Sequence, residues 1–381
     1  MRSHLPAFNT RVLTVFLLVA LPVLLIGAAI VIGIGQVRLR DTQTVRLGQM
    51  AEYTAGAVDA YVFRRILDAA LLGRVPDIRR AAAAGNTQPF DAEKVKELDK
   101  QWQADGPGTA SRTGILTVPA SQFLNDLVRN DSVYREVLVT DLRGRLVAAS
   151  NVTSDYLQSD EAWWINAFDN GRGRVAVTDV RRDESAHVYA FEIAVPVLSP
   201  NGTDLAGIMK IVADSREMLT GIAGIELGST SEALLLRPNG SIVFSRRPHA
   251  ETDRFFASEL LRQKLDERAA RHEPPGTLTL DAQKPDGTDR IVAVAPSQLA
   301  QSYPELSWMV ALSIDRDELR APFRSLLAYL ILVFALTGVA VLAIALWVSQ
   351  RLAAPTLDPA YDMHLVEHPM ISRMGDAERQ A

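Results

Sequence analysis

The sequence predicts an α+β protein in which two stacked helix-and-sheet modules ride on a long N-terminal helix, flanked by two transmembrane helices. Three observations predict this. Two stretches of 26 residues, 12–37 and 325–350, carry no charged side chain, and at about 1.5 Å of rise per residue either crosses a ~30 Å hydrocarbon core. Between them a 3-4 apolar period gives way to β-branched runs broken by Gly-containing turns, the signature of helix followed by antiparallel strands. The pattern of apolar strand, polar-Gly turn and apolar strand also occurs twice, as LVTDLRGRLVAAS at 138–150 and LLLRPNGSIVFS at 234–245, which reads as an internal duplication.

Residues 12–37 are read as a retained anchor. The apolar run is about twice the length of a signal-peptide core, and no small-x-small cleavage site follows it. Pro22, Gly27, Gly33 and Gly35 fit, because such residues are commoner in membrane helices than in soluble ones. Arg2 and Arg11 favour a cytoplasmic N-terminus; Arg38, Arg40 and Arg46 on the other flank count for little, because long domains translocate largely regardless of charge. The expected layout is therefore residues 1–11 in the cytoplasm, a first span at 12–37, an exported block at 38–324, a second span at 325–350 and a cytoplasmic tail at 351–381.

Leu47, Ala51, Thr54, Val58, Tyr61, Val62 and Ile66 share a helical face, so residues 38–75 are expected to form a stalk helix, stopped by Gly73 and Pro76. Further helices are expected at 91–103 and 121–129. The period then changes to strands at 134–140 and 145–149 around an Asp141-Leu-Arg-Gly144 turn. A short helix follows at 161–170, then strands at 174–180, 187–197 and 205–212, with Asn201-Gly202 between the last two. This order is that of a PAS-like module, occupying 76–214. A weaker copy occupies 215–320, with strands at 232–236 and 241–245, a helix at 255–271 and strands at 276–280, 290–295 and 306–313.

Composition excludes several functions. With no cysteine there is no disulfide, thiol nucleophile or Cys-ligated metal, and a net charge of −5 offers no basic field for nucleic acid. His364-Leu-Val-Glu-His368 matches a zinc pattern, but Pro369 disfavours helix at His368 and only 13 residues remain to supply a third ligand. No catalytic residue, metal or cofactor is expected.

The order of span, long helix, two PAS-like modules and span resembles the double Cache (dCache) sensor domains of bacterial chemoreceptors and sensor kinases. The residues carrying the resemblance are VLVTDLRGRLVAAS at 137–150, DYLQSDEAWWINAF at 155–168, DVRRDESAHVYAFEIAVPV at 179–197 and DLAGIMKIVAD at 204–214. The tail is similar to the opening of a HAMP linker, with Pro355 at its entry, but stops short of a complete one. The resemblance implies a two-pass protein of the bacterial inner membrane with its sensor domain extracytoplasmic, a homodimer, a small-molecule ligand, and a cytoplasmic kinase- or chemoreceptor-type partner to carry the output.

The resemblance also implies a ligand site in the membrane-distal module, 76–214, at Tyr156, Glu161, Trp163, Trp164, Asp179, Tyr189, Glu192 and Lys210. The amino-acid-binding subgroup has Arg-x-Trp-Tyr where this chain has Glu161-Ala162-Trp163-Trp164, so the group that would clamp a carboxylate is missing. Read from the residues, aromatic rings beside Asp160, Glu161, Asp179, Asp183 and Glu184 suit a cation, and the expected ligand is an amine or quaternary ammonium. The bland reading stands beside it. Adjacent tryptophans on a helix point about 100° apart, so at least one is a core anchor, and Asp183 and Glu184 fit a solvated hairpin turn. A binding or assembly module without transmembrane signalling is the alternative function; a membrane-bound hydrolase finds no nucleophile-base arrangement in the sequence.

Overall fold

The computed structural model describes residues 10–104, 110–183, 188–225, 227–245 and 254–352. The 364–368 segment and its zinc-like pattern lie outside them. Helix α1 (Thr10–Leu72) begins the described chain. The chain separates into a unit spanning Arg40–Arg320 and a second unit that holds the two apolar segments. In the second unit, Leu327–Arg351 is the one stretch among the described residues long and apolar enough to cross a membrane; many side chains of 12–37 fall outside the described set.

Within Arg40–Arg320, α1 buries Leu47, Ala51, Ala55, Val58, Val62, Ile66 and Ala69, a run of three- and four-residue steps along one helix face. Each fully buried Val or Ile contributes about 1.5–3 kcal/mol of transfer free energy, and the interspersed alanines let strands approach the helix closely. The helix stops where Gly73 and Pro76 predict: it ends at Leu72, and Pro76 opens α2 (Pro76–Thr87) at a position that needs no N–H donor. Helix α2 was not legible in the pattern, because RRAAAAGN offers no broad apolar stripe; only its Ile78 and Ala82 are buried. Helices α3 (Ala92–Ala104), α4 (Ala110–Leu116) and α5 (Pro119–Asn130) follow.

The first sheet comprises β1 (Tyr134–Asp141), β2 (Leu146–Ala149), β3 (Ala176–Val177), β4 (Arg181–Asp183), β5 (Val188–Leu198) and β6 (Leu205–Asp214), with α6 (Ala162–Phe168) between β2 and β3. Its order is β2-β1-β6-β5-β3, with β4 also pairing β5. Helix α7 (Arg216–Ala223) leads to the second sheet, made of β7 (Glu232–Leu236), β8 (Ile242–Ser245), β9 (Leu278–Gln283), β10 (Asp289–Pro296) and β11 (Met309–Asp315), with α8 (Ser258–Ala270) after β8. Its order, β8-β7-β11-β10-β9, is the first sheet's order again, and every pairing in both is antiparallel. The α+β class and the repeated sheet are those the sequence predicts. Helix α9 (Arg316–Leu352) closes the described chain.

Each sheet has two unlike faces. Alternate residues such as Val137, Val139, Ile193 and Ile211 in the first sheet, and Ala293, Val310 and Leu312 in the second, join the buried face of α1 in one core. The other face of the first sheet packs Leu138, Ala194 and Ile208 under α6, and that of the second packs Leu234, Val292, Val294 and Ala311 under α8.

Candidate ligand site

The outer face of the first sheet carries charge at its centre. Register places Leu138, Lys210 and Ala194 side by side across β1, β6 and β5, and Glu136, Val212 and Glu192 on the adjacent row of that face. Lys210 therefore has a carboxylate diagonal to it on either side, the distance at which cross-strand side chains meet. Its Nζ lies 3.3 Å from Glu136 Oε1 and 3.5 Å from Glu192 Oε1. The side chain is only 11% exposed, and a lone ammonium so far from water would be expensive; two carboxylates make it tolerable.

Helix α6 lays Trp163 over this group, with Lys210 Nζ 5.2 Å from the centre of the ring, within cation–π range. The Trp163 indole Nε1 is buried and has no hydrogen-bond acceptor among the described residues, which costs about 1–3 kcal/mol. Glu161 sits at the N-cap of α6. Desolvation pushes its pKa up, with Asp160 adding to the rise and Lys210 opposing it. Two carboxylates thus hold one ammonium beneath an indole donor without an acceptor among the described residues, with Glu161 near enough for the lysine's charge to act on it. Among the described residues no group of three or more acidic or histidine side chains is placed to hold a metal ion.

Of the eight residues expected here, Glu161, Trp163, Glu192 and Lys210 come together and four do not. Trp164 is a core anchor: its Nε1 donates to Thr140 Oγ1 at 2.9 Å and its ring stacks on Phe168 at 4.5 Å. Tyr156 packs on Trp102 and lines a separate cavity with Arg145 and Leu146; desolvation by burial pushes its hydroxyl pKa up. Tyr189 shares strand parity with Phe191 and Ile193, which face α1, so alternation turns it away from Glu192 and Lys210. Asp179 belongs to the junction of the two sheets, where its carboxylate accepts from Trp308 Nε1 at 2.7 Å and from Arg237 Nε. Glu184 and the side chain of Asp183 lie outside the described residues.

Sequence reasoning missed Glu136. It sits on the outer face of β1 beside Leu138, and the period-two alternation of YREVLVT carries that signal, but its neighbour Lys210 is known only once β1 and β6 are paired. The ring reading also changes. A bare aromatic face was expected to await a cation, whereas the face of Trp163 is already occupied by the chain's own lysine.

No protein-family model matches the chain, and no curated protein matches it. Solved structures do. The ligand-binding domain of the Pseudomonas aeruginosa PAO1 amino acid chemoreceptor PctB, in complex with L-Arg, is 17% identical over 74% of this chain and 98% of its own, with a TM-score of 0.42. The sensory domain of the Campylobacter jejuni chemoreceptor Tlp3 is 11% identical over 74% and 98%, with a TM-score of 0.46. An extracellular domain assigned to a histidine kinase, rpHK1S-Z16, is 18% identical over 67% and 95%, with a TM-score of 0.39. At these values the likeness says nothing about what this chain does or binds.

Proposed function

We propose that this chain is a membrane-anchored sensor whose first module binds a small amine that also bears a hydrogen-bond acceptor, and that it passes occupancy to a cytoplasmic signalling partner. One observation carries the ligand class. The group of Glu136, Glu192 and Trp163 already holds an ammonium, that of Lys210, and still leaves an indole N–H without an acceptor among the described residues. A ligand amine takes the place of Lys210 against the carboxylates and the ring, while its acceptor meets Trp163 Nε1. The reading assigns no catalysis.

Lys210→Met empties the lysine's place without adding charge. In the full chain in nanodiscs, calorimetric titration with primary and quaternary amines is expected to give affinity at least about tenfold tighter in this variant than in the wild type. Binding of carboxylates that disappears in Lys210→Met would instead make Lys210 a carboxylate anchor and reject the amine reading.

The proposal places Arg40–Arg320 outside the bacterial inner membrane, the spans at 12–37 and 325–350, and two copies side by side. The dimer is supported by an apolar stripe that α1 leaves uncovered. Phe63, Leu67 and Leu71 are 52%, 48% and 63% exposed, and Gly56 and Ala60 continue the line at the same three- and four-residue spacing, the seam by which like helices pair. Because the chain has no native cysteine, single cysteines test each point separately. Thr203→Cys, on an exposed turn, is expected to react with an impermeant maleimide in intact cells, and Leu67→Cys to crosslink to a second copy under oxidation. No labelling of Thr203→Cys rejects the topology; no crosslink through Leu67→Cys rejects the dimer.

A further inference from the structure

The outer face of the second sheet can be laid on that of the first strand by strand. With Leu234 in the place of Leu138, register puts Ala311 at Lys210, Val292 at Glu192, Val294 at Ala194 and Pro296 at Pro196. The last pair is a proline on both sides. In the first sheet α6 fills the space over Ala194 and Ile208 with Trp163 and Trp164. Helix α8 carries no aromatic residue, and a cavity of about 390 Å³ remains at the corresponding place, walled by Leu265, Leu278, Val294 and Met309. That volume lies within the ~300–1,000 Å³ of small-ligand pockets.

The lining is apolar along the sheet and on one side of α8, and polar at Arg268, Glu273, Ser297, Gln298, Gln301 and Ser307. Arg268, from the last turn of α8, donates Nη1 to Gly276 O at 2.9 Å, and its Nε is buried without a hydrogen bond among the described residues. That Nε is held only by a long ion pair, 3.6 Å to Oε2 of Glu273, whose side chain is 46% exposed. A guanidinium N–H with no hydrogen bond and only a long, half-exposed ion partner, beside a mainly apolar chamber, is matched by an anionic group on an apolar body that can take the place of Glu273.

We propose that this cavity is a second small-molecule site, which takes a compact apolar carboxylate: hydrocarbon against Leu265, Leu278, Val294 and Met309, carboxylate on Arg268 in place of Glu273. The site has direct lines to the rest of Arg40–Arg320. Trp308 also lines the cavity and donates to Asp179 of the first module, and Gln298, at the same wall, donates its backbone N–H to Asp59 of α1 at 2.7 Å. An occupant touches both connections.

The test is calorimetric titration of the full chain in nanodiscs with hexanoate and 1-hexanol, empty nanodiscs providing the baseline. Hexanoate is expected to bind saturably and at least about tenfold more tightly than 1-hexanol, and Arg268→Gln to weaken it by about tenfold or more. Ala300→Phe, which places a ring in the cavity, is expected to abolish binding, while Lys210→Met leaves it unchanged and so separates this site from the first. Hexanoate binding no tighter than hexanol, or binding that Arg268→Gln leaves intact, overturns the proposal. If Arg268→Gln does not melt cooperatively, Glu273→Gln is read in its place. Tighter hexanoate binding there supports the site; unchanged or weaker binding overturns it.

Discussion

The two sheets share a backbone and differ in what they present. Both open on a hairpin whose glycine has positive φ, Gly144 at 77° and Gly240 at 80°. In both the glycine N–H returns to the residue three before it, Asp141 or Arg237, and its carbonyl accepts from the following loop, at Gln158 N or Phe255 N. The register slips at the same step, between Val139 and Thr140 and between Leu235 and Leu236. Against this repeated scaffold the charges have moved. In the first sheet Lys210 holds Glu136 and Glu192 in the middle of the outer face. In the second, Glu232 keeps the place of Glu136, but its partners are Lys284 and Arg290 nearer the sheet's end, and the centre is apolar. Turn chemistry and strand alternation are enough to reproduce the fold, so three or four outward side chains are free to set what each face can bind.

The sharpest way to break that contrast is to remove each sheet's cation. Arg290 is 2% exposed and reaches Glu232, Asp315 and the carbonyls of Thr230 and Ser313. Arg290→Met strands buried partners and is expected to cost about 3–5 kcal/mol in denaturant unfolding. Lys210→Met is expected to cost only about 1–2 kcal/mol, because Glu136 and Glu192, 22% and 33% exposed, remain in reach of water. Equal losses would mean that Lys210 is as structural as Arg290 and would count against a ligand role.

The hairpin glycines give the next effect. A Cβ on Gly144 would lie 2.6 Å from the backbone nitrogen of Ser159 and 2.7 Å from its Cα, whereas a Cβ on Gly240 would lie 2.3 Å from the side-chain Cβ of Ser258. With left-handed backbone strain added, each Gly→Ala change is expected to cost about 2–4 kcal/mol. Adding Ser258→Gly should recover much of the loss in Gly240→Ala, and Ser159→Gly should recover little in Gly144→Ala, because that obstacle is backbone. Thermal melts of the two double variants read the difference; equal rescue contradicts the geometry.

The smallest expected effect is at the exit of the second sheet. Glu318, in the first turn of α9, accepts from the backbone N–H and hydroxyl of Ser229 and of Thr230. These bonds pull its pKa down from 4.5 to about 2. Since the folded pKa is the lower one, the contribution is complete above about pH 4.5 and is lost as pH falls towards 2. Stability measured across that window should fall less steeply in Glu318→Gln than in the wild type; superimposable acid limbs would place the titration elsewhere.

Much of this fold is legible in the residues, and for local reasons. The buried face of α1 follows from Leu47, Val58, Val62 and Ile66 at helical spacing, and its end from Gly73 and Pro76. Half of the candidate site is also legible. Glu161 and Trp163 stand close in sequence and act from one helix end. Trp164, their neighbour, turns into the core, because consecutive helical side chains diverge by about 100° and only one can cover Lys210.

What the sequence by itself determined is what neighbours along the chain decide: two uncharged apolar stretches, a helix face, and two hairpins that need glycine where φ is positive. These depend on periodicity and backbone sterics, which act over a few residues. Only the tertiary structure decided which charges meet. The pairing of Glu136 with Lys210, the turning of Tyr189 to the α1 face and the capture of Asp179 by Trp308 and Arg237 all depend on strand register and on contacts between distant segments. A shift of one residue in any strand would move its side chains to the opposite face.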